Sequence, residues 1–149
     1  PPRELGIAPG TRDVMTCNID LVPTMLDMAG LPADASLPGR SLLPAIRGEA
    51  VEDPEYVFSE WIQKQRWVTP CRMIRTRQWK YVHYVGHPNE LYSLEDDPHE
   101  MKNLAGAPEY AKVEEELHGH LVRHCERTGD PYFSIEPTDR QGKPFRTEG

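Results

Sequence analysis

The chain has no excess of basic residues, no closely spaced cysteines and no long apolar run, and each absence removes a class of function. Its 17 Lys and Arg are set against 24 Asp and Glu, a net charge of −7. That sign is opposite to the basic footprint that holds a phosphate backbone, so nucleic acid is not an expected partner. No apolar stretch approaches the roughly 20 residues that span a bilayer, and no charged segment leading into an apolar one opens the chain, so neither a membrane span nor a signal peptide is visible. Cys17, Cys71 and Cys125 are the only cysteines, odd in number and far apart. This spacing excludes a disulfide framework and a CxxC metal site, and it predicts buried free thiols. The sequence opens Pro1-Pro2-Arg3 without an initiator methionine, which leads to the expectation of a processed product or a segment of something longer. A length of 149 residues suits one modest domain.

What is present reads as alternating helix and strand signals. Residues 20–29 are expected to form a short helix: Asp20 is a natural N-cap, Pro23 sits in the first turn and Gly30 stops it. Leu21, Met25, Met28 and Ala29 give it one apolar face. Residues 31–54 are punctuated by Pro and Gly and are expected to wrap over a surface, with one or two helical turns at 41–47. Strands are expected at 55–61, 71–77, 79–85 and 90–94, the second and third paired as a tight hairpin around Gln78. From Pro108 to Arg127, Tyr110, Val113, Leu117, Leu121 and Cys125 recur every three or four residues, predicting an amphipathic helix that Gly129 ends. The tail 130–149 reads as irregular. The sum is an α+β arrangement, a small antiparallel sheet of three to four strands packed against a long C-terminal helix.

Four blocks carry a family resemblance. Residues 90–105, ELYSLEDDPHEMKNLA, resemble the C-terminal signature ELYDL-x-x-DP-x-E-x-x-NLA of the sulfatases, departing only at Ser93. Residues 72–81, RMIRTRQWKY, resemble the family's R-x-(V/I)-R-T-x-x-(Y/W)-K-Y hairpin, and residues 19–30, IDLVPTMLDMAG, its ID-(L/I)-x-PT-(L/M)-LD-(L/M)-AG helix. PGRSL at 38–42 is similar to its PG-x-SL segment, and Gly129-Asp130-Pro131 also fits. The resemblance implies the last portion of an arylsulfatase-type hydrolase of the alkaline-phosphatase superfamily. Residues 1–54 would be the end of its catalytic α/β domain, 55–129 the C-terminal subdomain and 130–149 a tail. It implies sulfate-ester cleavage by the whole protein, with formylglycine and a divalent metal, calcium by family habit, supplied upstream. It implies two partners: the missing N-terminal catalytic part, and a sulfated small molecule or sugar as substrate. Phosphonate and phosphate monoester hydrolases share similar blocks and stand as the alternative, beside a stand-alone binding module.

The residues of the reacting centre are not among these blocks. Formylglycine forms within C/S-x-P-x-R, whereas Pro70-Cys71-Arg72 has the proline and arginine in the wrong places, so Cys71 reads as a strand residue and the isolated chain is expected to be inactive. Lys64, Arg66 and Trp67, in the connection between two strands, are substrate-rim candidates: cations suit a sulfated anion and an indole can stack on its ring. The bland reading of the same residues is an ordinary surface loop. Glu116, His120 and His124, with His118 close by, recur on one helix face and could hold zinc, though a solvated face is the simpler account. Glu95, Asp96, Asp97 and Glu100 could in principle bind calcium but lack the EF-hand spacing and read as a solvated turn. His83 reads as a packed or hydrogen-bonded histidine. No resident metal or cofactor is therefore expected in this chain.

Overall fold

A computed structural model describes residues 7–32, 34–62, 70–139 and 141–144. The chain divides into two compact units, Pro1–Val57 and Phe58–Gly149. Among the described residues no helix is long and apolar enough to cross a membrane.

The first unit holds a 3-10 turn, Asn18–Asp20, running directly into α1 (Leu21–Met28), and a short α2 (Leu43–Arg47). Asp20 does not cap α1 as its residue type suggests. Its carboxylate turns backward to accept the Cys17 N–H (3.0 Å) and sideways to accept the Arg40 N–H (3.0 Å). Thr24 donates its hydroxyl to the Asp20 carbonyl (2.6 Å) and accepts the Leu42 N–H (2.9 Å). The Ser41 hydroxyl donates to the Asp27 carboxylate. Asp20, Thr24 and Asp27 therefore use successive helical turns to hold one strap, residues 40–42, and Asp20 and Thr24 are buried despite being polar because their acceptor capacity is filled.

The second unit is a sheet in the order β1 (Val57–Trp61), β2 (Cys71–Arg75), β3 (Trp79–Tyr84), β4 (Glu90–Ser93), with β2–β3 and β3–β4 antiparallel. The β2–β3 connection takes three residues, so β2 ends two residues earlier than its alternation predicts, while β3 starts at Trp79 as expected. The reason is Thr76, whose hydroxyl accepts the N–H groups of Gln78 (3.2 Å) and Trp79 (2.9 Å) and turns the chain early. Arg72, Ile74, Tyr81, His83, Leu91 and Ser93 fall on one face by cross-strand register. That face packs under α3 (Ala111–Thr128), which follows a 3-10 turn at Pro108–Tyr110 and contacts β2 and β3. Ile74, Tyr81, Leu91, Leu117, Leu121, Cys125 and Tyr132 are buried between the layers. All three cysteines are free, but only Cys125 is fully buried; Cys17 and Cys71 are half-buried.

The edge strand β4 is covered by a side chain. Asn103 Oδ1 accepts the Leu91 N–H (3.0 Å) and the Ala105 N–H (2.9 Å), its amide donates to the Asn89 carbonyl (3.0 Å), and Leu104 N–H donates to the Leu91 carbonyl (2.8 Å). Residues 103–104 thus stand in for a further strand and fill hydrogen-bonding positions that an exposed edge would offer to another chain. Asn103→Ala is expected to cost about 1–2 kcal/mol, as for several hydrogen bonds lost at an exposed side chain. Asn103→Asp, which keeps the acceptor, should cost less. Urea denaturation midpoints of the two variants check the ranking.

Candidate functional site

The most constrained polar group in the second unit is Arg72. Its side chain, 2% exposed, emerges from β2 into the sheet–helix interface. A guanidinium there needs a counter-charge and filled donors. Asp130 supplies the first in bidentate fashion: Nε to Oδ2 is 2.6 Å and Nη2 to Oδ1 2.9 Å. The Tyr132 ring lies under the guanidinium, 4.6 Å from its centroid. Nη1 donates to the carbonyls of Cys71 (2.9 Å) and Trp61 (3.4 Å).

Asp130 reaches this position because α3 ends sharply. Gly129 adopts φ +69°, a left-handed conformation that costs glycine little, and Asp130 N–H bonds back to the Cys125 carbonyl (2.9 Å). Hydrogen bonds from Arg72 hold the Asp130 carboxyl below the usual carboxylate range, against the opposing effect of burial. The neighbouring Cys125 thiol is pushed up to about 11 by burial and then by Asp130, so it stays protonated and unreactive. The start of the tail, read as irregular from its Pro and charge content, is therefore a core element: Tyr132 is fully buried and its hydroxyl donates to the His83 carbonyl (2.6 Å).

His83 Nδ1 lies 2.8 Å from the same hydroxyl. Because the Tyr132 proton is committed to the carbonyl, Nδ1 must be the donor in that contact. Burial first, and the neighbouring His118 second, push His83 down to about 4, so it is neutral at pH 7 and packed.

Lys64, Arg66 and Trp67 lie outside the described residues. The described chain on either side of 63–69 is Trp61-Ile62, both exposed, and the buried Pro70. The other sequence candidates do not converge. His124 stacks on Phe58 with ring centres 3.8 Å apart and lies 3.9 Å from Glu60. Among the acidic residues, Asp96 accepts from Ser93, Asp97 accepts the Lys102 N–H, and Glu100 pairs with Lys80. Among the described residues no group of three or more His, Cys, Asp or Glu side chains is arranged to hold a metal ion. Cys71 sits in β2 opposite Tyr84, its thiol raised by burial. The donors among the described residues do not fit a divalent metal, and Cys71 stands outside the C/S-x-P-x-R context in which formylglycine forms.

Residues 4–127 match the family described as N-sulphoglucosamine sulphohydrolase, C-terminal. The chain belongs to this sulphohydrolase family. Among curated relatives, it is 41% identical over 121 residues to the Delta 4,5-hexuronate-2-O-sulfatase of Bacteroides thetaiotaomicron, covering 79% of this chain and 25% of that protein. It is 40% identical over 106 residues to the choline-sulfatase of Rhizobium meliloti, covering 69% of this chain and 20% of that one. The chain thus spans a quarter or less of the length of these relatives. Among solved structures, a 2-O GAG sulfatase superimposes with a TM-score of 0.75 at 39% identity, over 83% of this chain and 27% of that one. The phosphonate monoester hydrolase of Agrobacterium radiobacter superimposes with a TM-score of 0.62 at 26% identity, over 85% of this chain and 28% of that one. The sulphohydrolase C-terminal segment is accordingly an α+β layer, and the blocks that mark it in sequence are the ones that bond to each other: Asp20 with Arg40, and Arg72 with Asp130.

Proposed function

We propose that the protein to which this chain contributes the C-terminal part hydrolyses sulfate esters, and that the chain supports the reacting centre without containing it. The observation that carries this reading is the family match over residues 4–127, joined to two sulfatases at about 40% identity. Residues 1–54 are the end of the catalytic α/β domain, 55–129 the C-terminal subdomain and 130–149 its tail. Formylglycine and a divalent ion, calcium in this reading, are supplied by the N-terminal catalytic part, which is the principal partner. The exposed apolar side chains of Leu21 (55%), Val22 (46%) and Met25 (59%) form a contact surface for that part, since a patch of this kind is costly to leave in water.

The substrate is a sulfated sugar or small molecule, in keeping with the named substrates of the two relatives, a hexuronate 2-O-sulfate and choline sulfate. Lys64, Arg66 and Trp67 are its rim: two cations for the anionic ester and an indole for the ring or alkyl group it carries. The likeness to a phosphonate monoester hydrolase favours a second reading in which the whole protein cleaves phosphonate esters, and the lower identity ranks it below the first.

One assay separates these readings. The 149-residue chain, given an aryl sulfate with and without calcium, is expected to show no turnover above a buffer blank. The protein expressed with its upstream coding sequence is expected to release sulfate from that ester faster than phosphonate from the matching aryl phosphonate. Turnover by the chain alone overturns the supporting role, and preference for the phosphonate overturns the sulfatase reading.

A further inference from the structure

We propose that His83 and His118, facing each other across the seam between β3 and α3, form an acid-sensitive latch that holds the segment 130–134 against the sheet. The geometry is a closed ring cluster. The two imidazole centroids are 5.0 Å apart. Phe133 lies over both, 5.5 Å from His83 and 5.8 Å from His118, and the Tyr132 ring lies 5.6 Å from His83. Tyr132 is tied to His83 twice, through the ring nitrogen and through the carbonyl. The Tyr81 hydroxyl lies 3.5 Å from His118 Nδ1 and accepts the Asn89 amide (3.0 Å). Phe133 therefore meets the sheet and helix through imidazole, and Tyr132 meets the sheet through both imidazole and the Arg72 guanidinium.

The charges around the pair are unevenly placed for a proton. From β2, Arg72 is the direct cross-strand partner of His83 and carries a buried positive charge. From the segment itself comes Asp130, already committed to Arg72. From α3 come His118 and Glu114, the latter a favourable but single carboxylate, which also donates its field to Tyr81. The Tyr81 and Tyr132 hydroxyls are held in the neutral form by burial. Because Nδ1 of His83 already carries a hydrogen, a further proton must go to Nε2, making a cation that faces a second imidazole and lies beside a buried guanidinium.

The depressed value of about 4 for His83 agrees with this geometry. The docked form binds fewer protons than a detached one in which His83 titrates near its ordinary 6.5. Docking is fully favoured above about pH 6.5 and weakens as the pH falls towards about 4.

The test is hydrogen–deuterium exchange by mass spectrometry on the full-length protein, corrected for the intrinsic rate at each pH. Peptides covering 130–135 are expected to exchange roughly tenfold faster at about pH 4.5 than at about pH 7, less than the full shift implies because the ring is only partly buried, while the middle of α3 stays protected. His83→Asn removes the titrating group and retains a donor for the Tyr132 hydroxyl; it should abolish the pH response. His118→Asn, which leaves that bond untouched, should reduce the response and serves if the first variant does not fold. Equal protection of 130–135 at both pH values in the unmodified protein overturns the latch. So does simultaneous loss of protection throughout α3, a pH response that survives in the folded His83 variant, or one that is undiminished in the His118 variant.

Discussion

Asp130→Ala is expected to destabilise the second unit by about 3–5 kcal/mol, the cost of leaving a buried guanidinium without its partner. Arg72 is 2% exposed and takes both carboxylate oxygens of Asp130. Removing the carboxylate strands a positive charge, and it also takes the acceptor from the Tyr132 N–H (3.2 Å). The double variant Arg72→Met/Asp130→Leu should lose less than the single one, because no unpaired charge stays behind. Urea denaturation of the two variants distinguishes an ion pair that is needed only once its partner is present from one that stabilises in itself; a double variant weaker than Asp130→Ala would contradict the argument. The sign with pH follows from the depressed Asp130 carboxyl: the stabilisation is complete above the ordinary carboxylate range and is lost as pH falls through the lower folded value.

Gly39→Ala is expected to cost the first unit about 3 kcal/mol or more, the upper part of what overpacking costs. A Cβ at Gly39 would stand 2.1 Å from the Ile19 carbonyl oxygen and 2.5 Å from its carbon, both backbone atoms that no rotamer change can move aside. Relief requires the strap to lift from the 3-10 turn, which breaks the bond from Arg40 N–H to Asp20. Gly30→Ala is the matched control: φ is +68° there but nothing lies within 4 Å of the added atom, so the cost should be only about 1–2 kcal/mol of left-handed backbone strain. Denaturation midpoints that ranked the two substitutions equally would show that the close approach at Gly39 is not limiting.

The ladder of legibility along this chain follows the range of the interactions. Local patterns carried the elements. The four-residue recurrence of Leu117, Leu121 and Cys125 placed α3 and its buried face, and the alternation through Trp79–Tyr84 placed β3 and the side on which Tyr81 and His83 lie. Boundaries moved where a side chain intervened, as Thr76 does between β2 and β3. Asp20 shows the same principle at a helix start: its type suits a cap, but the Cys17 and Arg40 N–H groups claim its oxygens instead.

The long-range pairings had no local signal. Arg72 and Asp130 are 58 residues apart, and His83 and Tyr132 are 49; nothing in either neighbourhood says that the first residues of a charged, proline-containing tail return to the sheet. What the sequence by itself determined is the α+β layering, the family of the C-terminal segment and the positions of its marked residues, because periodicity and motif spacing are properties of neighbours along the chain. Only the tertiary structure decided what those residues are for: which carboxylate neutralises Arg72, which glycine lies against a backbone, and which imidazole carries Tyr132. Close packing is what makes each of these contacts matter, and it is set by elements that meet in space within each unit: the 3-10 turn and the strap in the first, the sheet and α3 in the second.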